Sequence, residues 1–106
     1  MFVNATEKAV VDWAHARNIV DGSTPEKQLV KLDEEFEELK GALERRAKTE
    51  IMDGIGDMMV VLTILARQCG TNLNACFEAA YLEIKDRKGR MIDGIFVKEA
   101  DLPENQ

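Results

Sequence analysis

The stretch from Lys31 to Asp57 reads KLDEEFEELKGALERRAKTEIMDGIGD, and it decides the fold that this sequence predicts. Around its first half, apolar residues alternate at spacings of three and four, which is typical of a helix with one face turned toward a core. The residues of this apolar stripe are Leu29, Leu32, Phe36, Leu39 and Leu43. We therefore predict a long helix with a buried stripe, and a second helix that begins within the same stretch.

Polar and acidic side chains lie beside the apolar stripe. At about 100° per residue, four of them fall within an arc of about 80° on one flank of the stripe, whereas Glu34 and Glu37 point elsewhere. The four are Gln28, Lys31, Glu35 and Glu38. In the second helix, Glu50, Asp53 and Asp57 share an arc of about 60°. Both helices are thus expected to present carboxylates next to apolar surface.

These clustered carboxylates need a compensating charge. Like charges one turn apart destabilise a helix by roughly 0.2–0.5 kcal/mol, and burial raises that cost, so a divalent metal ion is the simplest explanation. A run such as DEEFEEL is also typical of a solvated helix face, which would account for Glu34 and Glu37. It does not account for Asp57, which precedes the sequence MMVV and needs either a metal or an ion pair with a residue such as Arg67.

Length and charge limit the classes of protein that fit. The chain has 106 residues, 20 of them acidic and 14 basic, with a formal charge of −6. We expect a single domain over residues 1–106 that binds neither nucleic acid nor an anionic membrane. The sequence has no recognisable signal peptide or membrane-spanning segment, so we expect a cytoplasmic protein whose two cysteines are reduced.

Caps and glycines divide the chain into four main helices. The predicted helices run from Asn4 to about Asn18, from Thr24 and Pro25 to about Ala47, from about Thr49 to Cys69, and from Asn72 or Asn74 to about Lys88. Between the first two, the segment VDGSTP (residues 20–25) is predicted to be a turn. Gly70 and Gly89 are the expected C-terminal caps of the third and fourth helices.

The remaining apolar residues predict how the bundle is completed. The last helix is expected to bury Leu73, Phe77, Ala80 and Ile84, and the tail at residues 91–106 carries an Asp93-Gly94 turn that fits a hairpin or an arm lying on a partner. The third helix is apolar around more than half of its circumference, too much for three short helices to cover. We predict an all-α fold, a four- to five-helix bundle completed by oligomerisation, with a short C-terminal extended or hairpin tail.

Two segments resemble a known family. The pair Glu35-x-x-Glu38 within KLDEEFEEL, followed by DGIGDMMVVLTILARQ, resembles the EExxE…ExxD signature of the MazG-like all-α nucleoside triphosphate pyrophosphohydrolases. The ending AAYLEIKDRKGRMIDGIFVKEADL is similar to short phage and prophage members. The resemblance covers most of the chain. It implies that carboxylates of two helices bind Mg²⁺, with Mn²⁺ as a substitute, and that water attacks the α-phosphorus of a nucleoside triphosphate to give the monophosphate and pyrophosphate.

The signature implies roles for four carboxylates. Glu34, Glu35 and Glu38 fall on EExxE, and Asp57 falls on the last position of ExxD. By this resemblance Glu35, Glu38 and Asp57 are metal ligands, and Glu34, Glu35 and Glu38 are the candidate catalytic residues, with Glu34 a candidate general base.

One position departs from the signature. Gly54 stands where the family has its third glutamate. Asp53 is the first candidate to supply the missing ligand, because it lies one turn before Asp57 on the same face. Glu50, a further turn back, is the second candidate ligand and an alternative base. If Gly54 leaves the site merely short of a ligand, Gly54→Glu is expected to raise activity.

Cations are the first group of candidate substrate-binding residues. Positive side chains would stabilise charge on a leaving pyrophosphate, and the end of the fourth helix is basic. Lys85 and Lys88 are the first candidates there, with Arg87 and Arg90 second. Cations near a helix C-terminus also complement its dipole without binding any ligand.

Other side chains are candidates for contact with the nucleotide. Gln28 and Lys31 share the flank of Glu35 and are expected to contact phosphate or base. Trp13 is a candidate for stacking on a nucleobase, although a lone tryptophan on an amphipathic helix is more often part of a core. Tyr81 is a candidate phosphate ligand or a core residue.

The sequence therefore predicts a Mg²⁺-dependent nucleoside triphosphate pyrophosphohydrolase that assembles as a homodimer or homotetramer. The alternative is a non-catalytic helical assembly or partner-binding module that keeps the bundle without turnover. The glycine at position 54 favours this alternative.

Overall fold

The computed structural model describes residues 2–106, and their side chains from Ala5 onward. The described residues form five α-helices, a two-stranded antiparallel hairpin and two short 3₁₀ helices, which confirms the predicted all-α class with a hairpin tail. The helices are α1 (Phe2–Ala16), α2 (Ile19–Gly22), α3 (Pro25–Arg45), α4 (Lys48–Gln68) and α5 (Leu73–Ile84). The strands are β1 (Gly89–Ile92) and β2 (Ile95–Lys98). None of the described helices is long and apolar enough to cross a membrane.

The first two helices differ from their predicted bounds. Helix α1 begins at Phe2, so Asn4 lies inside it rather than capping it, and the side chain of Asn4 is not among those described. Asn18 adopts a left-handed conformation with φ of 57°, which ends α1 and redirects the chain. The residues that follow form the short helix α2, so the turn predicted from Val20 is wrong in its first half.

The predicted start of α3 is confirmed. The Thr24 side chain accepts a hydrogen bond of 3.2 Å from the backbone N–H of Lys27, and Pro25 occupies the first helical position, where its missing N–H costs nothing. At the other end, Arg46 has a left-handed φ of 54° and its N–H donates to the carbonyl of Leu43. This cap reverses the chain into α4, and α3 and α4 make the most extensive helix contact in the molecule.

A glycine allows α3 and α4 to approach closely. Gly54 is buried, and a Cβ at this position would lie 3.2 Å from Cδ1 and 3.4 Å from Cα of Leu39. On its other side α4 packs against α1 and α2, where Ala14, Val20 and Ile64 form a small core. We refer to the antiparallel pair α3 and α4 as the helical hairpin.

The apolar stripe of α3 is not buried as predicted. The residues that α3 buries are Gln28, Glu35 and Ala42, and these lie about 100° round the helix from the stripe. Leu29, Phe36 and Leu43 remain 55%, 47% and 44% exposed, while Leu32 and Leu39 are half-buried. A helical apolar pattern predicts which residues share a face, but it does not predict which flank of that face meets the neighbouring helix. The close approach at Gly54 instead turns the neighbouring flank inward.

The chain divides by contact into two compact units, the residues up to Cys76 and Phe77–Gln106. In the second unit α5 ends at Ile84, earlier than predicted, and Gly89 begins β1 instead of capping a helix. A Cβ at Gly89 would collide with the carbonyl oxygen of Val97, so this position requires glycine. Asp93 and Gly94 have φ of 49° and 81°, as a tight hairpin turn requires.

The burial predicted for the last helix is partly wrong. Leu73 is half-buried, but Phe77, Ala80 and Ile84 are exposed. Among the described residues, α5 has no buried side chain. At its start, the predicted cap is confirmed: the Asn72 side chain accepts a 2.8 Å hydrogen bond from the backbone N–H of Ala75.

Candidate metal centre

Three carboxylates meet between α3 and α4, one turn from Gly54. Oxygen atoms of Glu35, Glu38 and Asp57 all lie within 4.8 Å of one another. Glu35 and Glu38 are one turn apart on α3, and Asp57 follows Gly54 by one turn on α4. The close contact at Gly54 therefore brings together acids from two helices, as the sequence predicted for these three residues.

Glu35 is the least exposed member of this carboxylate cluster. Its residue is only 7% exposed. Its Oε1 lies 3.2 Å from Nζ of Lys31, whereas its buried Oε2 has no hydrogen-bond partner. An unpaired buried carboxylate oxygen is costly, which favours binding of a cation at this atom.

Asp57 also experiences an excess of negative charge. Although the residue as a whole is exposed, partial removal of its carboxyl group from water raises the pKa of Asp57, and the charges of Glu35 and Asp53 raise that pKa further. Lys31 acts in the opposite direction but does not cancel these effects. Oxygen-only donors, repulsion between carboxylates and the unpaired Oε2 of Glu35 fit a hard divalent cation such as Mg²⁺ or Mn²⁺.

A polar groove runs along the helical hairpin from this cluster. Its volume is about 460 Å³. We call it the hairpin groove, and its lining residues are Glu37, Glu38, Gly41, Ala42, Arg45, Glu50, Asp53, Gly54 and Asp57. Asp53 lines this groove but is not a member of the three-carboxylate cluster. Glu50 lies further along and accepts hydrogen bonds of 3.2 and 3.0 Å from Nε and Nη2 of Arg45.

A side chain at position 54, where the family signature places a carboxylate, would be crowded by α3. Because a Cβ at Gly54 would point at Leu39, a longer side chain would separate α3 from α4. We therefore expect Gly54→Glu to disturb the packing of α3 against α4, and whether it restores a ligand stays a prediction. The glycine has a structural role in forming the cluster.

A second groove reaches Asp57 from the side of α1. It also measures about 460 Å³, and we call it the α1 groove. Its lining residues are Thr6, Ala9, Val10, Trp13, Asp57 and Val60. Trp13 is 44% exposed rather than part of the core, and the guanidinium of Arg17 lies 4.7 Å from the centre of its ring. Asp57 thus lines a largely apolar groove and a polar one.

Other predicted site residues surround the cluster. Lys31 lies between Glu34, at 3.5 Å, and Glu35, and both raise the pKa of Lys31, Glu35 more strongly. Glu34 itself is exposed and outside the cluster. The buried Gln28 donates from Nε2 to Oγ of Ser23 at 3.1 Å. Their roles in catalysis or substrate binding stay predictions.

The second unit contains the other predicted substrate-binding residues. Tyr81 lies on α5, and Lys85 and Lys88 follow it. All three are exposed, and their contacts with substrate stay predictions.

Sequence reasoning gave no role to Arg45. Its signal in the sequence was weak: an arginine at the end of one helix, five residues before a glutamate that begins the next. Only the turn between α3 and α4 shows that both residues line the hairpin groove.

Comparisons with known proteins identify the family of this chain. Residues 7–82 match the family PRA-PH, phosphoribosyl-ATP pyrophosphohydrolase, so the chain belongs to this family within the MazG-like all-α superfamily. It is 48% identical over 61 residues to an uncharacterized 18.2 kDa protein from the rep-hol intergenic region of Haemophilus phage HP1 (strain HP1c1). The match covers 58% of this chain and 37% of the phage protein. No solved structure matches the chain.

Proposed function

We propose that this chain is a metal-dependent pyrophosphohydrolase that converts nucleoside triphosphates to monophosphates and pyrophosphate. The observation that carries the proposal is the cluster of Glu35, Glu38 and Asp57, with its unpaired buried oxygen, at the junction of two grooves of different polarity. Membership of the PRA-PH family supports the reaction class. The choice of nucleoside triphosphates and of Mg²⁺ is our proposal.

The carboxylates have separate roles in this reaction. Glu35, Glu38 and Asp57 hold Mg²⁺ or Mn²⁺, with Asp53 as a further ligand from the same groove. When bound, the metal would withdraw charge from the phosphates and lower the pKa of a coordinated water. Glu34, exposed beside the cluster, is the proposed general base that accepts the proton of the attacking water, and Glu50 is the alternative base.

The two grooves are the basis of a proposed binding mode for the nucleotide. The α1 groove offers the indole of Trp13 and the aliphatic side chains of Val10 and Val60, which suit a planar base. The hairpin groove offers polar groups to the phosphates. We propose that the base stacks near Trp13 and the phosphates cross Asp57 into the hairpin groove. Phosphate contacts by Gln28, Lys31, Tyr81, Lys85 and Lys88 belong to the same proposal.

Pyrophosphate release tests the proposed reaction. The purified chain is incubated with a panel of ribo- and deoxynucleoside triphosphates, with Mg²⁺, with Mn²⁺ and with a chelator. We expect metal-dependent release that Glu38→Gln lowers by at least about 100-fold, since metal stabilisation of the transition state is worth several kcal/mol. Glu44→Gln is the matched control, because Glu44 lies on α3 outside the hairpin groove. Full activity of the Glu38 variant would refute the site.

The alternative function is a helical assembly module without turnover. It is favoured by the exposed apolar residues of the helical hairpin, including Phe36, Leu43 and Ile55, and by the absence of a carboxylate at position 54. For such a module, Mn²⁺ would raise the melting temperature with no release of pyrophosphate from any triphosphate.

A further inference from the structure

We propose that Arg45 binds the terminal phosphates of the substrate and stabilises the leaving pyrophosphate. This inference rests on the proposed function. Arg45 is the one cationic side chain among the described residues that line the hairpin groove, where five acidic residues surround it. Those acids are Glu37, Glu38, Glu50, Asp53 and Asp57. Apart from a metal ion bound by the carboxylates, Arg45 is therefore the charged group of this lining that would attract a polyanion.

The guanidinium of Arg45 is already oriented. Glu50 accepts from both Nε and Nη2 through a single oxygen, so one edge of the guanidinium group is directed at Glu50. The other terminal nitrogen, Nη1, has no ion pair among the described residues and lies beside Gly41, where a Cβ would be 3.1 Å away. The fork of donors that arginine offers suits phosphate oxygens, and Glu50 leaves part of it available.

The position of Arg45 along the hairpin matches the length of a triphosphate. Arg45 follows Glu38 by seven residues, and Glu50 precedes Asp57 by seven, so both pairs are separated by roughly 10 Å along the helix axes at 1.5 Å per residue. A chain of three phosphates that begins at the carboxylate cluster, together with the reach of an arginine side chain, covers this distance. With the base in the α1 groove, the phosphate farthest from the base is the one that reaches Arg45.

This contact would act on the bond-breaking step. Water adds to the α-phosphorus, the bond from that phosphorus to the oxygen bridging to the β-phosphate breaks, and its electron pair stays on the departing pyrophosphate. The proton of the attacking water passes to the general base. A guanidinium held beside the terminal phosphates stabilises the charge that the leaving group gains.

Kinetics with triphosphates and diphosphates of the same nucleoside test the proposal. A diphosphate lacks the phosphate that reaches Arg45, so Arg45→Ala is expected to lower kcat/KM for the triphosphate by about 10–100-fold and to change the diphosphate rate much less. Arg45→Lys should retain part of the discrimination. Arg46→Ala is the matched control, since Arg46 is adjacent but does not line the groove. Mn²⁺ affinity, measured by electron paramagnetic resonance, should be equal in all variants.

A purely structural role for Arg45 predicts a different result. If Arg45 only fastens the turn between α3 and α4, then Arg45→Ala and Glu50→Gln will lower the melting temperature alike and slow both substrates equally, and the proposal is overturned. If the wild-type chain hydrolyses no triphosphate, the proposed function fails. Binding of inorganic tripolyphosphate with Mn²⁺ then decides the inference: loss of this binding in Arg45→Ala supports it, while equal binding, or none by the wild-type chain, refutes it.

Discussion

At the scale of single residues, we expect Asp57 to link the stability of the chain to pH and to metal binding. A raised pKa means that the folded state binds a proton more readily than the unfolded state. The stability of the metal-free chain should therefore fall as pH rises from the ordinary aspartate pKa through the raised value. We expect Asp57→Asn to melt at a higher temperature than the wild type at neutral pH without metal, and to lose the increase in melting temperature that Mn²⁺ gives the wild type.

Scanning calorimetry over a pH series, with and without Mn²⁺, checks this prediction. The prediction would be contradicted if the metal-free wild type became more stable between pH 4 and neutrality while Asp57→Asn did not.

Asp53 and Glu50 differ in their surroundings although they share a groove. The charge of Asp53 acts on Asp57, whereas Glu50 is engaged by Arg45. We expect Asp53→Asn to weaken Mn²⁺ binding by about 10–100-fold, as for groups that support a metal site, and Glu50→Gln to leave it nearly unchanged. Titration followed by electron paramagnetic resonance measures both. If Glu50→Gln weakened Mn²⁺ binding more than Asp53→Asn does, then Glu50 rather than Asp53 would support the metal site.

At the scale of elements, substitutions at the two glycines of α4 are expected to have opposite effects on stability. A side chain at Gly54 would meet Leu39, so Gly54→Ala should destabilise the chain and Gly54→Glu should do so severely, with loss of metal binding. Gly56 has nothing within 4 Å of a Cβ, so Gly56→Ala should be neutral or stabilise the helix by up to about 1 kcal/mol. Chemical denaturation measures both. Improved turnover by Gly54→Glu would contradict the steric explanation.

Helices could be predicted from the sequence more accurately than the faces they bury. The ends of α3 and α4 fall within about two residues of the predicted bounds because Thr24, Pro25 and Gly70 act through local geometry. The carboxylate cluster was also predictable, since helical spacing fixes which acids share a face. The orientation of α3 was not predictable from its own pattern, because it depends on how closely Gly54 lets Leu39 approach.

Tertiary contacts also decided the parts of the chain that differ from expectation. Gly89 was read as a helix cap because glycine commonly ends helices, but pairing with Lys98 in the hairpin determines its position. Arg45 could not be recognised as a groove residue until the turn between α3 and α4 was known.

At the scale of the whole molecule, one side of the helical hairpin exposes large apolar side chains. Phe36 lies about 100° from Glu35 on α3, and Ile55 about 100° from Gly54 on α4. Because α3 and α4 are antiparallel, Phe36 and Ile55 lie on the same side of the hairpin, opposite α1. The large apolar residues there remain about half exposed: Leu29, Phe36, Leu43, Met52 and Ile55. Large apolar side chains exposed on one face often mark a surface that binds another protein.

We propose that a second copy covers this face, giving the homodimer or homotetramer expected from the sequence. Phe36→Glu should weaken self-association, whereas Val30→Glu, at an exposed apolar position of the same helix about 120° from Phe36, should not. Sedimentation at micromolar concentration measures the oligomeric state. Mn²⁺ binding should survive in both variants, since the carboxylates lie on the opposite side. A stable, folded wild-type monomer would contradict this proposal.

In the proposed binding mode, the position of Asp57 between two grooves would separate selection of the base from handling of the phosphates. The groove proposed for the base is lined largely by α1, with Asp57 and Val60 of α4, while the proposed metal ligands lie on α3 and α4. Substitutions in α1 can therefore change which nucleotide binds without changing the carboxylates of α3 and α4. Under this arrangement, substrate preference can diverge quickly among relatives by mutation of a single helix. A chimera that receives residues 5–16 from a relative should adopt the donor's base preference and keep its own metal affinity.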